Sequence, residues 1–404
     1  MDAVEKHRLF SRPMHMEADN DLTNTRLPIL PRHTQGITGT MPSCSLGKST
    51  NNEAKEEVLG ITQAVMPGGK RIKLLKTMMT SACERNCNYC SFRAGRNYQR
   101  STFTPEEMAS SFMNMYRAGL VEGLFLSSGI IRGGISTQDK IIDTAEILRH
   151  QLGFRGYIHL KIMPGAENDQ VYRSMQLANR VSVNLEAPNA HRLTRIAPKK
   201  VFLNELLEPL QKMDEIRKRA PAHACWNGRW ASSSTQFVVG AAGESDVELL
   251  TTTGYLLKQY TLRRAYFMAF KPIPDTPLEN QPPENPWRQH RLYQASYLLR
   301  DYGFELEELP FKKDGRLPLT ADPKTAWARD NLLEAPVEVN LADPEELLRV
   351  PGIGPKGVTK ILSARRSGKL QELKELKAIG VSPSRPAPYL LLNGKRPTFQ
   401  LALF

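Results

Sequence analysis

The chain has 404 residues, 40% of them apolar and 24% charged, with 55 lysines and arginines against 42 acids for a net charge of +13. Such a composition excludes a disordered or fibrous chain and predicts a core large enough for a catalytic domain plus a small appendage. No run of about 18 apolar residues occurs, so no membrane-spanning helix is predicted, and the basic balance favours a polyanionic partner such as nucleic acid.

Residues 1–55 are polar with scattered Pro and Gly, and read as an irregular extension, with a helix predicted over Asn52–Met66. The opening MDAVEKHRLFSRPMHMEADND carries acids and no apolar segment of signal length, so no export or import signal is expected. From about Lys73, short apolar runs alternate with helical spacing. Strands are predicted within 73–81, 123–129, 156–165, 180–188, 235–243 and 263–273. Helices are predicted over Thr104–Ala118, Thr137–Gln151, Asn168–Ala178, Leu203–Arg219 and Ser245–Tyr260. Such alternation predicts an α/β fold, a partial (β/α)6 TIM-like barrel with its chemistry at the C-terminal strand ends. An open doubly wound sheet is the alternative. A Pro-rich stretch, a helix around Trp287–Tyr302 and a linker over 312–335 lead to a small all-helical domain over 336–404, which leaves 56–311 as the core.

Three of the five cysteines form Cys83-Glu-Arg-Asn-Cys87-Asn-Tyr-Cys90, just after the first strand of the predicted barrel. A disulfide framework does not cluster so, and crowded thiols without an export signal point to a reducing, cytoplasmic setting and a metal site. Three ligands leave one iron of a [4Fe–4S] cluster open, whereas a structural zinc site takes four. Cys44 and Cys225 stand apart, and a distant fourth ligand keeps zinc as the alternative.

The spacing, its place after strand one and Tyr89 before the last cysteine resemble the radical S-adenosylmethionine (SAM) superfamily. The resemblance implies a [4Fe–4S] cluster on Cys83, Cys87 and Cys90 and SAM at the open iron. It also implies reductive cleavage to a 5′-deoxyadenosyl radical, with an electron donor such as flavodoxin or ferredoxin. Carried over residue by residue, it places Ser127, Ser128 and Gly129 near the methionine amino group, although the family's acid is missing there. Asn184 and Glu186 in VNLEAP would reach ribose or methionine. Gly240 and Gly243, in Gly240-Ala-Ala-Gly243-Glu244, together with the Phe270–Ile273 backbone would lie near adenine. Lys161, in HLKIMPG, is placed to reach a carboxylate or phosphate from the barrel mouth or to serve a structural ion pair. No residue is singled out as catalytic beyond these.

At the C-terminus, Asp343 or Asn340 is expected to cap a helix through Val350, Pro351-Gly352-Ile353-Gly354 forms a tight turn, and a second helix starts at Pro355. This resembles a helix-hairpin-helix, which implies that Gly352, Ile353, Gly354, Lys356 and Lys360 grip a DNA phosphate without reading sequence. Val358 replaces the usual small residue, and Ala-Ile-Gly-Val over 378–381 is similar to a degenerate second hairpin. From residue 351 onward ten cations face two acids, so most of the net charge sits here.

Both features together, with FTPEEM, EGLFLSSGII, GYIHLKIMPGA and SVNLEAP, resemble a family of radical SAM proteins assigned to DNA modification or repair. That family is associated with a uracil-DNA-glycosylase-like protein, and no membrane partner is implied. Three other readings stay open at this stage: a tRNA-modifying radical SAM enzyme, a small-molecule enzyme with a scaffolding tail, and a glycosylase-like protein with a structural cluster.

Overall fold

A computed structural model describes residues 1–11, 14, 59–65 and 69–398. Contacts divide the chain into two compact units, Met1–Glu244 with Tyr255–Pro286, and Ser245–Gly254 with Trp287–Phe404.

The first unit is built on a seven-stranded sheet: β1 (Ile61–Val65), β2 (Arg71–Met78), β3 (Gly123–Ser127), β4 (Tyr157–Lys161), β5 (Arg180–Glu186), β6 (Ser232–Val239) and β7 (Arg264–Ala269). The strands lie in sequence order, with β2 to β7 parallel and β1 antiparallel to β2. A doubly wound sheet reverses its order at a switch point. This one never does, and its edges β1 and β7 do not pair. It is therefore an open, partial (β/α)6 barrel.

Helices α2 (Pro105–Arg117), α3 (Gly133–Glu146), α4 (Asn168–Leu177), α5 (Ala190–Ile196) and α6 (Glu208–Arg219) cross between strands. Their starts follow local chemistry. The Thr104 hydroxyl accepts the Glu107 N–H ahead of Pro105, Glu167 and Gln170 form a capping box, and Asn189 accepts from Arg192. Strand positions alternate, so Leu75, Leu124, Leu126, Leu160 and Val183 bury against these helices. The opposite face lines the barrel interior.

Two expectations change. Residues 3–11 are not irregular but form α1 (Ala3–Ser11), opened by Asp2 accepting the Glu5 N–H at 2.8 Å. Of the helix expected over Asn52–Met66, residues 61–65 are strand β1, while 52–58 and 66 lie outside the described residues. Gly60 explains the change: its φ of +75° stops a helix, and a Cβ there would meet the Lys76 carbonyl at 2.7 Å.

The second unit contains α7 (Asp246–Gln259) in part, then α8 (Pro286–Asp301), α9 (Pro323–Asn331), α10 (Pro344–Arg349), α11 (Pro355–Ser367) and α12 (Leu373–Ala378). A two-stranded sheet, β8 (Val337–Glu338) with β9 (Leu390–Leu391), joins them. Helix α9 occupies much of the expected linker, capped by the Asp322 side chain. Within this unit Arg288 and Asp246 pair at 2.7 Å with side chains 2% and 0% exposed, and Asp246 also accepts the Leu317 N–H.

Arg149, after α3, is buried, and among the described residues it has no acidic partner. It donates to the carbonyls of Leu177, Phe154 and Gly156 and to Asn179 Oδ1, and lies 3.6 Å from the Trp226 ring centroid. Arg149→Met leaves these acceptors unmet, and urea unfolding should show a loss of about 4 kcal/mol.

Candidate functional site

The cysteine loop follows β2 and is held by several elements of the first unit. Arg100 donates to the carbonyls of Ser81, Phe92 and Arg93, while Arg96 holds Ser91 O. The Glu84 N–H reaches Ile130 O beyond β3, and Asn88 binds the end of α5 through Ile196 O and Arg195 O. Gly129 permits the closest approach: a Cβ there would stand 2.2 Å from Ala82 O. Arg85 forms an ion pair of 2.6 Å with Glu205 in a π-helical turn before α6.

Cys83, Cys87 and Cys90 line one cavity at the C-terminal ends of the strands. Its enclosed volume is about 110 Å3, and it opens to solvent at its mouth. Backbone N–H groups of Ile130 and Phe92 point at the Cys83 and Cys90 sulfurs, each at 3.4 Å. Burial raises the Cys87 thiol, offset in part by Lys200. Burial and then Cys87 push Cys90 up to about 12. Among the described residues no group of three His, Cys, Asp or Glu side chains closes on a point for a single metal ion. Cys225 is buried elsewhere, and Cys44 lies outside the described residues.

Tyr89, Ser127, Ser128, Gly129, Lys161, Asn184 and Glu186 line the same cavity. Glu186 ends β5 at a bulge with φ of +65°, a conformation that strains a non-glycine residue. Its carboxylate pairs with Lys200 at 2.8 Å, the side chains 4% and 10% exposed. Burial drives the Glu186 pKa up, but Lys200 and then Lys161 outweigh it and hold the carboxyl below its usual value. The Tyr89 phenol is raised well above its range by burial and then by Glu186. Three lining atoms, Ser128 Oγ, Glu186 Oε2 and Arg85 Nε, are buried without a hydrogen-bond partner.

Gly240 and Gly243 are not in this lining. They turn with φ of +91° and +68° around buried Glu244, which accepts the N–H groups of Gly240 and Ala242. The Phe270 backbone is already engaged, its N–H on Val239 O and its carbonyl on Glu284 N. Among the lining residues that the sequence did not single out are Lys200, Arg85 and Met14, which comes from beyond α1. Lys200 sits in a polar loop where a lysine is ordinary, and only the fold brings it to Glu186.

In the second unit, Asp343 and Glu346 form the capping box of α10, as expected, and Val350 to Gly354 turn the chain into α11. Gly352 has φ of +87° and Gly354 caps α11. The Ile353 side chain is buried, and its carbonyl accepts from Lys324 at 2.5 Å. Lys356 and Lys360 are exposed. Val358 and Ile361 pack with Leu376 and Val381, so the 378–381 segment joins the same core, and among the described residues no α-helix follows Gly380.

No family model and no curated protein matches the chain. Among solved structures it is similar to HydG, a maturase of the [FeFe]-hydrogenase, at 14% identity and TM-score 0.44, over 56% of this chain and 49% of that one. This chain thus spans about half of HydG. It is similar to methylornithine synthase (PylB) at 13% and 0.43, over 68% of each chain. A radical SAM methyltransferase from Sphaerobacter thermophilus matches at 13% and 0.41, over 62% of this chain and 80% of its own.

Lys200→Met removes the partner of a buried carboxylate. The variant should lose about 3–5 kcal/mol at pH 7. In the intact protein the depressed carboxyl stabilises above its unfolded pKa, and that contribution fades as pH falls through the lower folded value. Without Lys200 burial dominates and the folded pKa rises, so the sign reverses. Denaturation at pH 5 and 7 should then show the variant's deficit shrinking at pH 5.

Proposed function

We propose that the protein is a radical SAM enzyme acting on DNA, with a [4Fe–4S] cluster on Cys83, Cys87 and Cys90 and SAM in the adjoining cavity. The observation that carries this reading is the trio of thiols around one cavity, two of them receiving backbone N–H groups. Thiolates hold such clusters, hydrogen bonds to sulfur tune them, and three ligands leave an iron for SAM. When bound, the reduced cluster supplies the electron that cleaves SAM to a 5′-deoxyadenosyl radical able to take a substrate hydrogen. The electron would come from a protein such as flavodoxin or ferredoxin.

The chain's own residues orient and seclude. Cys87 and Cys90, raised by burial, would become thiolates on meeting iron, because coordination replaces the proton. Ser128 Oγ and Glu186 Oε2 offer unmet acceptors to an ammonium or ribose hydroxyl. Lys200 keeps Glu186 ionised for that role, and Tyr89 closes the loop side against water.

The DNA assignment is supported by the turn between α10 and α11. Its glycines let the chain reverse tightly, the first N–H groups of α11 suit a phosphate, and exposed Lys356 and Lys360 add charge. Such contacts hold backbone and read no bases. A base to be modified would be flipped out or single-stranded. A uracil-DNA-glycosylase-like partner belongs to the same reading through the family resemblance.

Anaerobically reconstituted protein with reductant and SAM should form 5′-deoxyadenosine, and Cys87→Ala should reduce it to background. Lys356→Glu should weaken duplex DNA about tenfold at low salt and flatten the salt slope while SAM cleavage persists. Zinc in place of iron, or iron indifferent to SAM, overturns the enzyme reading. A preference for tRNA over DNA in the same gel shifts overturns the DNA reading.

A further inference from the structure

The turn between α10 and α11 forms one wall of a further cavity in the second unit, with an enclosed volume of about 290 Å3. The other walls include Tyr302 beyond the end of α8, Asp322 and Lys324 at the start of α9, and Arg385. Two glycines let these walls close on the turn. A Cβ at Gly352 would stand 2.9 Å from the Arg385 Cβ, and one at Gly354 would stand 3.0 Å from Tyr302 Oη.

Lys324 is the unexpected lining residue. It is 8% exposed and stands in the first turn of α9, where burial and the helix dipole both disfavour a cation. Its ammonium donates to the Ile353 carbonyl at 2.5 Å and lies 4.6 Å from the Tyr302 ring centroid. Among the described residues no carboxylate pairs with it. The acids nearby are committed: Asp322 pairs with Arg385 at 2.9 Å and caps α9, and Glu308 pairs with Arg349 at 3.0 Å. Lys324 is therefore left uncompensated, with one of its three donors used. Burial brings its pKa down to about 7, with Asp322 opposing the fall and Arg385 and Arg349 adding to it. Tyr302 is raised by burial and then by Asp301, so its phenol remains a donor at neutral pH. Among the described residues that phenol has no hydrogen-bond partner, and the N–H groups of Gly352 and Gly354 meet no acceptor.

A recess with a buried, uncompensated ammonium and unmet donors on one wall is complementary to an oxyanion. An internal phosphodiester carries a sugar on each side, which keeps it on an open surface. A terminal phosphate is nearly doubly charged above pH 7 and enters a recess with three free oxygens. We propose that this recess binds the terminal phosphate monoester of a DNA strand, at a nick or an end, through Lys324 and Tyr302. The inference rests on reading the turn as a DNA contact and adds a preference for one kind of DNA. Exposed Lys356 and Lys360 then hold the duplex backbone while the recess takes the strand end. Because a bound phosphate favours the charged ammonium, binding takes up a proton near neutral pH and weakens as pH rises above 7.

Fluorescence anisotropy of the full-length reconstituted protein, at fixed salt, compares nicked duplexes carrying a 5′-phosphate, a 3′-phosphate or hydroxyls only. One phosphorylated nick should bind about tenfold tighter than the hydroxyl nick, and which one it is assigns the strand end. That preference should fall to near parity between pH 7 and pH 8.5. Lys324→Met should abolish both the preference and its pH dependence, whereas Lys324→Arg should keep the preference and flatten the pH profile, an outcome that a purely structural role does not produce. Tyr302→Phe keeps the ring and should cost the phosphorylated nick about three- to fivefold, which serves if Lys324→Met does not fold. Equal binding of all three duplexes overturns the proposal. So does a preference indifferent to both pH and Tyr302→Phe, or full competition by a deoxynucleoside 5′-monophosphate at the duplex concentration. Duplex binding without discrimination loses only this inference, whereas failure to bind any duplex overturns the DNA reading of the turn as well.

Discussion

The ion pair between Glu186 and Lys200 organises the cavity. Glu186 shares the cavity face with Asn184 and sits at a bulge of β5, where it accepts a left-handed backbone that costs about 1–2 kcal/mol for a side chain with a Cβ. Held inward, it stands beside Tyr89 of the cysteine loop and perturbs the Cys87 thiol. Lys200 follows α5, and the end of α5 receives Asn88 from that same loop. Strand, loop and helix are thus tied to one charge pair, and displacing either partner moves the walls on which the thiols sit.

Burial gives this pair its leverage. Two buried charges interact strongly, but each has lost hydration, so the pair specifies geometry more than it adds stability. The thiols obey the same rule with opposite consequence. Desolvation favours the neutral form of Cys87 and Cys90, so these two wait as thiols and become anionic only when a cation replaces the protons. A rigid loop, fixed by Arg100 and by the close approach at Gly129, makes that exchange a matter of ligand arrival with little backbone reordering.

Much of the barrel was readable from residues alone, because six buried parallel strands leave six apolar runs, each followed by a helix with an identifiable start. The exceptions have local causes. Strand β1 is short and half-exposed, and only Gly60 marks the break before it. Helix α1 is nine residues long in a polar stretch and is fixed by tertiary contacts, among them His7 between Thr77 and Ser111. The glycines after β6 look like a ligand turn, yet their positive φ serves to wrap Glu244, and sequence cannot tell a turn around a side chain from a turn around a cofactor. Lys200 was invisible for a different reason: its partner lies 14 residues away, and only the path of the chain through α5 brings the two together.

Positive charge is used in two ways along this chain, and dielectric separates them. The lysines after Gly354 are solvent-exposed, so their attraction for a phosphate backbone is long-ranged, screened by salt and fast to form. Arg180 of the barrel interior instead bonds the neutral hydroxyls of Tyr266 and Ser232, where screening ions do not enter and the field is short-ranged and strong. Under the proposed DNA reading a polyanion would meet the exposed lysines at a rate set by ionic strength, whereas the buried contacts are held by fixed geometry. Raising salt would then weaken the surface contact while leaving the interior nearly intact.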